Sequence, residues 1–387
     1  MVMKMISKDK IENYQNLMDF INYVFGFNGS TTSFPLYLPR LHKEKYEPTA
    51  KTTVIKDDNK YLACATFLSY NVHVLNGKYR LGTIGNVAVH PNERNKGYMK
   101  EIMDSVILEA LNDNVDAISL TGMRERYKNY FFDNAGISYN YHLEKNEIKK
   151  YLTKNNIKLN KIKVLKVKEN DLEEIEKSYL LVKTLTHRAS RKRNEYFDIM
   201  NGMNGRLYHF YFNKTFIGYA VYHENESLIS EINVTNPKYL SSTIISLLDY
   251  VDKENVDLTL PPFKINHIDI LNKIADYYYI SNSAKFLIVN FEKLINLYLN
   301  LKASYMTLDN TDFIVKINGF KYQENLHVCV KDNNVLVEHT TNKENFTLSY
   351  FEAVEFFFSS ISVLRLTNKY VKNLFPLPLY ISKIDNI

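Results

Sequence analysis

The sequence predicts an α/β chain with α+β mixed sheets, divided into three successive units at about 1–150, 151–290 and 291–387. Three observations carry that expectation. Asn86 to Met99 reads as a strand that runs through a short polar loop directly into a helix. Residues from about 160 to 290 repeat the same order of strands and helices. Beyond 291, the hairpin signals Asn318-Gly319 and Asn333-Asn334 separate alternating β runs ahead of a capped helix.

Each element follows from local pattern. Ile11, Tyr14, Leu17, Met18, Ile21, Val24 and Phe25 recur at three-and-four spacing, which predicts an amphipathic helix over 9–25. A loop containing Gly, Ser and Pro follows, through Pro39. Strands are expected at 52–56 and 61–74, split by Asp57-Asp58-Asn59, with another after Asn76-Gly77. The strand ending at Val89 feeds a helix over about 97–111, marked by Ile102, Met103, Val106, Ile107, Ala110 and Leu111. Residues 117–120 read as a strand, and 138–143 as the strand that closes the first unit. In the second unit, 162–167 reads as a strand, 170–200 as helices, and 207–212, 215–223 and 227–235 as strands. The third opens with a helix carrying Leu294, Ile295, Leu297, Tyr298 and Leu301.

The loop after Val89 is where chemistry is expected. A helix starting near Lys96 leaves its first backbone N–H groups unpaired and facing the loop. Those donors and the positive helix end suit a phosphate. Gly97 has no Cβ to keep a pyrophosphate from the backbone, and Arg94 and Lys96 add positive charge. The second unit has Ile232 to Leu240 at the matching place, keeping strand and helix but lacking Arg-x-x-Gly. It is expected to be a scaffold.

Composition excludes several classes. Hydrophobic residues make up 45% of 387, too many for a disordered chain. Cys64 and Cys329 are far apart, so no disulfide framework is expected, which favours a reducing cytoplasmic setting. No apolar leader or membrane-length run is present in the sequence, so no membrane partner is expected. The net charge of +6 is spread along the chain. Its one basic cluster, His187 to Arg193, reads as a solvated connection between helices, and no nucleic acid is expected. His73, His90 and His142 have no partner at ligand spacing, and no metal site is expected.

The Arg94-x-x-Gly97-x-Met99 loop closely resembles the pyrophosphate-binding turn of the GNAT acyltransferases, written Arg/Gln-x-x-Gly-x-Gly/Ala. The whole chain resembles the enhanced intracellular survival (Eis) family: tandem GNAT folds followed by a sterol-carrier-protein-like α+β domain. Two further segments carry that likeness. Tyr127-Lys128-Asn129-Tyr130-Phe131-Phe132 resembles the family's Tyr-Arg-Arg-Phe-Gly-Tyr, with Phe131 standing at the glycine. The tail from Leu374-Phe375-Pro376-Leu377-Pro378 to Asp385-Asn386-Ile387 is similar to the one that places that family's C-terminal carboxylate in its active site.

The resemblance implies acetyl-CoA as cosubstrate, held by Val87, Ala88, Val89, Arg94, Asn95, Lys96, Gly97, Tyr98, Met99 and Lys100. It implies Tyr127 as general acid, with Tyr130 the alternative, and the Ile387 carboxylate as general base. It also implies a small-molecule primary amine as acceptor, of aminoglycoside or polyamine type, and a homo-oligomer, with a hexamer as the form the family suggests. A non-catalytic acyl-CoA-binding protein and a protein-amine acetyltransferase stay open beside it.

Overall fold

The computed structural model describes residues 5–27, 29, 33–361 and 373–386. Its strands form three mixed or antiparallel sheets. The first follows the order Met5–Lys8, Thr52–Asp57, Lys60–Val74, Gly77–Val89, Ala117–Leu120, Ala284–Ile288, Asp133–Ala135, with His187–Ala189 added against Lys60–Val74. The second runs Tyr277–Ser281, Ser138–Glu144, Asn255–Leu260, Leu228–Val234, Thr215–His223, Gly205–Phe212, Lys163–Lys166. The third runs Asn334–His339, Gln323–Lys331, Thr311–Asn318, Phe346–Ser349.

The first two sheets exchange strands. Ser138–Glu144, expected to close the first unit, pairs with Asn255–Leu260 in the second sheet. In return Ala284–Ile288 lies between Ala117–Leu120 and Asp133–Ala135 in the first. Each exchanged strand carries its buried side chains into the core of the sheet that receives it. Tyr141 and Leu143 pack in the second unit's core, together with Ile148 and Leu152 of the helix that follows. Leu287 packs with the helix Tyr98–Asn112, while Phe286 and Ile288 face the opposite side of the first sheet. The expected boundary near 150 therefore does not coincide with the sheets, which change over just after Ala135.

A face of the first sheet built from Tyr70, Val72, Val74, Tyr79 and Leu81 shares one core with the third unit. The helix Phe291–Ala303 supplies Leu294, Ile295 and Tyr298 to it, and Tyr350–Phe358 supplies Val354 and Phe357. The tail joins the same core through Leu374, Phe375, Leu377 and Leu379. Buried Lys302 donates to the carbonyls of Leu374 (3.0 Å) and Pro376 (3.2 Å), satisfying tail acceptors that have no strand partner.

Further on, the tail reaches both other units. Ile137 N–H donates to the Leu379 carbonyl at 2.8 Å, and Tyr70 Oη donates to that of Asp385 at 2.8 Å. Ile384 packs among Val182, Tyr196 and Leu207 of the second unit. Asp385 is held by Arg191, whose guanidinium also binds Glu231 at 2.6 Å. Here the expectation for His187 to Arg193 fails. Arg191 is 8% exposed because both of its carboxylate partners are supplied from distant parts of the chain.

Candidate active site

The site begins where two parallel strands part. Gly77–Val89 pairs with Ala117–Leu120 only over Leu81–Ile84, so Gly85 to Val89 runs on without that neighbour. A bulge lies at the same point. Thr66 opposes Gly85 and Cys64 opposes Ala88, leaving Asn86 and Val87 opposite the single residue Ala65. Asn86 takes φ 54° and anchors the bulge by donating to Thr66 Oγ1 at 2.9 Å. After it, His90 N–H donates to Leu62 O on one side of the strand. Strand alternation then turns the N–H group of Val89 to the other side, into the gap.

The chain then turns through Pro91–Glu93, with His90 Nδ1 accepting from Asn92 N–H at 3.2 Å. Asn95 (φ 64°) and Gly97 (φ 86°) complete the turn into the helix Tyr98–Asn112. The helix's first hydrogen bonds run from Lys100 and Glu101 to Gly97 O, so the N–H groups ahead of them face the loop. A Cβ built on Gly97 would meet no atom within 4 Å. The open space above this backbone is what a pyrophosphate needs.

A cleft of 710 Å³ opens here. It is lined by Val87, Ala88, Val89, Arg94, Asn95, Gly97, Tyr98 and Met99, all named from the sequence, and by Val24, Phe25, Glu93 and Arg126, which were not. Val24 and Phe25 come from the first helix, whose apolar stripe was legible but whose docking over the loop was not. Lys96 and Lys100 do not line the cleft. Lys96 pairs with Glu93 at 2.8 Å and Lys100 with Asp104 one turn along. Lys60 and Lys96 hold the Glu93 carboxyl down to about 2, so it is an anion whose charge is already answered. Arg94 lies over the Phe27 ring at 5.3 Å.

Tyr127 sits on the short helix Arg124–Lys128, in the apolar layer behind the cleft wall with Val87, Val89, Tyr98 and Met99. Its ring lies against Gly122 (φ 136°), where a Cβ would come within 2.5 Å of Cε2. Burial pushes the Tyr127 hydroxyl above its ordinary pKa, opposed by the neighbouring Arg126 guanidinium. Arg126, not Tyr127, reaches the cleft lining. Tyr130 is also raised by burial. Phe131, where the resembling family has glycine, does take a glycine-like φ of 65°. Its ring is packed between Phe320 (5.0 Å) and Tyr350 (5.3 Å) of the third unit, which offsets the cost of that backbone. Ile387 lies outside the described residues. Asp385, two residues before it, is fully engaged by Arg191.

In the second unit the corresponding strands also part, since Leu228–Val234 meets Asn255–Leu260 only at Leu228 and Ile229. Lys264 reaches across that opening, donating to Ile232 O at 2.7 Å and to Asn233 Oδ1, and leaves beside it a cavity of only about 60 Å³.

This strand-parting, glycine-turned loop ahead of a helix has the arrangement of a GNAT fold. Residues 6–132 match the family model described as an acetyltransferase (GNAT) domain. No curated protein matches the sequence. Among solved structures the chain is similar to a GCN5-related N-acetyltransferase from Anabaena variabilis, with TM-score 0.67, 14% identity and 100% of both chains covered. It is also similar to a probable N-acyltransferase from Enterococcus faecalis, with TM-score 0.61 and 14% identity over 90% of this chain and 88% of that one. Eis1 from Mycobacterium abscessus gives TM-score 0.59 at 10% identity, covering 89% and 87%. At these identities the likeness is one of fold.

Proposed function

We propose that the chain transfers an acetyl group from acetyl-CoA to a primary amine of a small molecule, and does so in the first unit only. The open Gly97 turn beside the parted strands carries this reading, set against a second unit whose equivalent opening is crossed by Lys264 and narrowed to about 60 Å³. The helix N-terminus, Arg94 and the Gly97 backbone would hold the pyrophosphate. Acetyl-CoA supplies the thioester that the amine attacks. Holding both reactants in one cleft makes the encounter effectively unimolecular. The Val89 N–H is aimed into the gap and suits the carbonyl oxygen as negative charge develops there. The resemblance assigns the leaving sulfur's proton to Tyr127, which has to come forward past the Arg126 wall to deliver it, and the amine's proton to the C-terminal carboxylate of Ile387. The third unit serves to fold the tail back onto the first. The acceptor class implied by the resemblance is an aminoglycoside or polyamine, and the working form a homo-oligomer in the cytoplasm.

The test is thiol release by purified protein with acetyl-CoA across a panel of amines, together with calorimetric titration of acetyl-CoA. Binding at about one site per chain, abolished in Gly97→Glu, is expected. Two sites per chain, or unchanged binding in Gly97→Glu, would remove the assignment. A few glycines added after Ile387 should cut turnover by about 10²–10⁴-fold. Turnover equal to that of the native chain would take the carboxylate out of the reaction.

A further inference from the structure

The solvent face of the third sheet holds a second cluster of chemistry. Along Gln323–Lys331, Leu326, Val328 and Val330 are buried, so His327 and Cys329 point outward. Along Thr311–Asn318, Phe313 and Val315 are buried and Asp312 points outward. The register sets Asp312 directly opposite Cys329 and Glu338 directly opposite His327. His327 Nε2 lies 3.0 Å from Asp312 Oδ1, and its Nδ1 lies 3.8 Å from Glu338 Oε1. One ligand atom from each of Asp312, His327 and Cys329 falls within 4.8 Å of the other two.

A carboxylate, an imidazole and a thiol converging on one point is a donor set suited to a borderline-soft cation and unsuited to Mg²⁺ or Ca²⁺. Zinc bonds of about 2.0–2.3 Å in tetrahedral geometry separate neighbouring ligand atoms by about 3.4–3.6 Å. The ladder fixes the backbones, so small side-chain rotations are enough to close the cluster to that spacing. Glu338 stands 3.8 Å from the far nitrogen of His327, a small side-chain rotation from the hydrogen bond by which a carboxylate orients a ligating ring toward its metal.

We propose that Asp312, His327 and Cys329 bind a divalent transition-metal ion of the Zn²⁺ class, with water completing the shell and Glu338 orienting His327. Binding displaces the Cys329 proton to solvent, so affinity falls as pH falls. The ion rivets the Thr311–Asn318 and Gln323–Lys331 strands together. None of the four residues lines the acyl-transfer cleft, so the site stands or fails independently of the proposed reaction. No local spacing announces this cluster, because Asp312 meets Cys329 only across the strand register.

The experiment titrates Co²⁺ into the full-length, metal-stripped protein kept reduced with a phosphine. A near-ultraviolet thiolate-to-cobalt charge-transfer band should appear, saturate at about one ion per chain, and be displaced by Zn²⁺. Cys329→Ser should abolish it, and Glu338→Gln should weaken binding by about 10–100-fold. Without metal, Cys329→Ser should unfold at the native temperature, because Cys329 faces solvent; it should lose the upward shift that Zn²⁺ gives the native chain. A missing charge-transfer band, or one that survives in Cys329→Ser, would overturn the proposal.

Discussion

At the residue scale the sharpest question is what Tyr127 contributes. Its phenol is packed against Gly122 and kept protonated by burial, as a proton donor to a leaving thiolate must be. Tyr127→Phe should lower kcat by about 10²–10⁴-fold with acetyl-CoA affinity nearly unchanged, since the lost proton matters only along the reaction path. Because its pKa lies above the usual 10, no alkaline fall in kcat from this group is expected below that pH. Full activity in Tyr127→Phe with loss in Tyr130→Phe would move the role to Tyr130. The turn at Gly97 was legible in the sequence because all of its parts are local: a strand, a polar loop and a helix start within fourteen residues. Lys96 and Lys100 are engaged instead by Glu93 and Asp104, pairs at the three- and four-residue spacing that is itself local.

At the scale of elements, the tail is held by an ion-pair cluster that no local pattern announces. Arg191 bonds Asp385 of the tail at 2.7 Å and Glu231 of the second unit at 2.6 Å. Removing the cation leaves two buried carboxylates facing each other, at a cost of about 3–5 kcal/mol. Arg191→Met should therefore lower the urea midpoint accordingly and expose the tail at Lys383 to trypsin. A midpoint within about 0.5 kcal/mol of the native chain would show that the apolar residues alone hold the tail. The basic run from His187 to Arg193 looked like a solvated connection because its partners lie tens to hundreds of residues away. The strand at Ser138–Glu144 was equally legible as a strand. Alternating burial identifies a strand but does not say which sheet receives it.

Over the whole molecule, two expectations follow from how the units share structure. A fragment of residues 1–137 lacks Ala284–Ile288, so Ala117–Leu120 and Asp133–Ala135 lose the strand between them. It also exposes the Tyr70, Val72, Tyr79 and Leu81 face that the third unit covers. Such a fragment should show no cooperative unfolding transition; a monomer that unfolds cooperatively and binds acetyl-CoA would contradict the shared core. The second expectation concerns acid. Burial pushes His42 and His209 down to about 4, and His187 and His267 down to about 3. Each stays neutral when folded but takes a proton at about 6.5 when unfolded, so stability is present above that pH and lost as pH falls toward 4. His142, raised by Asp257, opposes this weakly. Glu231 and Glu174, pulled to about 2, lose their contribution only below about 4.5. The urea midpoint should therefore fall between pH 7 and pH 5; a flat profile there would show that these histidines are protonated in the fold.

The strand exchange also sets an order of events during synthesis. When Asp133–Ala135 leaves the ribosome, the strand it pairs with among the described residues is still untranslated, and Ala117–Leu120 is open on one edge. At about 5–20 residues per second, that edge waits on the order of 10–30 s for residue 288 to emerge. The nascent chain must carry an incomplete sheet with bare backbone donors through that interval. A chaperone that shields strand edges, or a pause in translation after the exchange, would act on this chain at that moment and not on the finished protein.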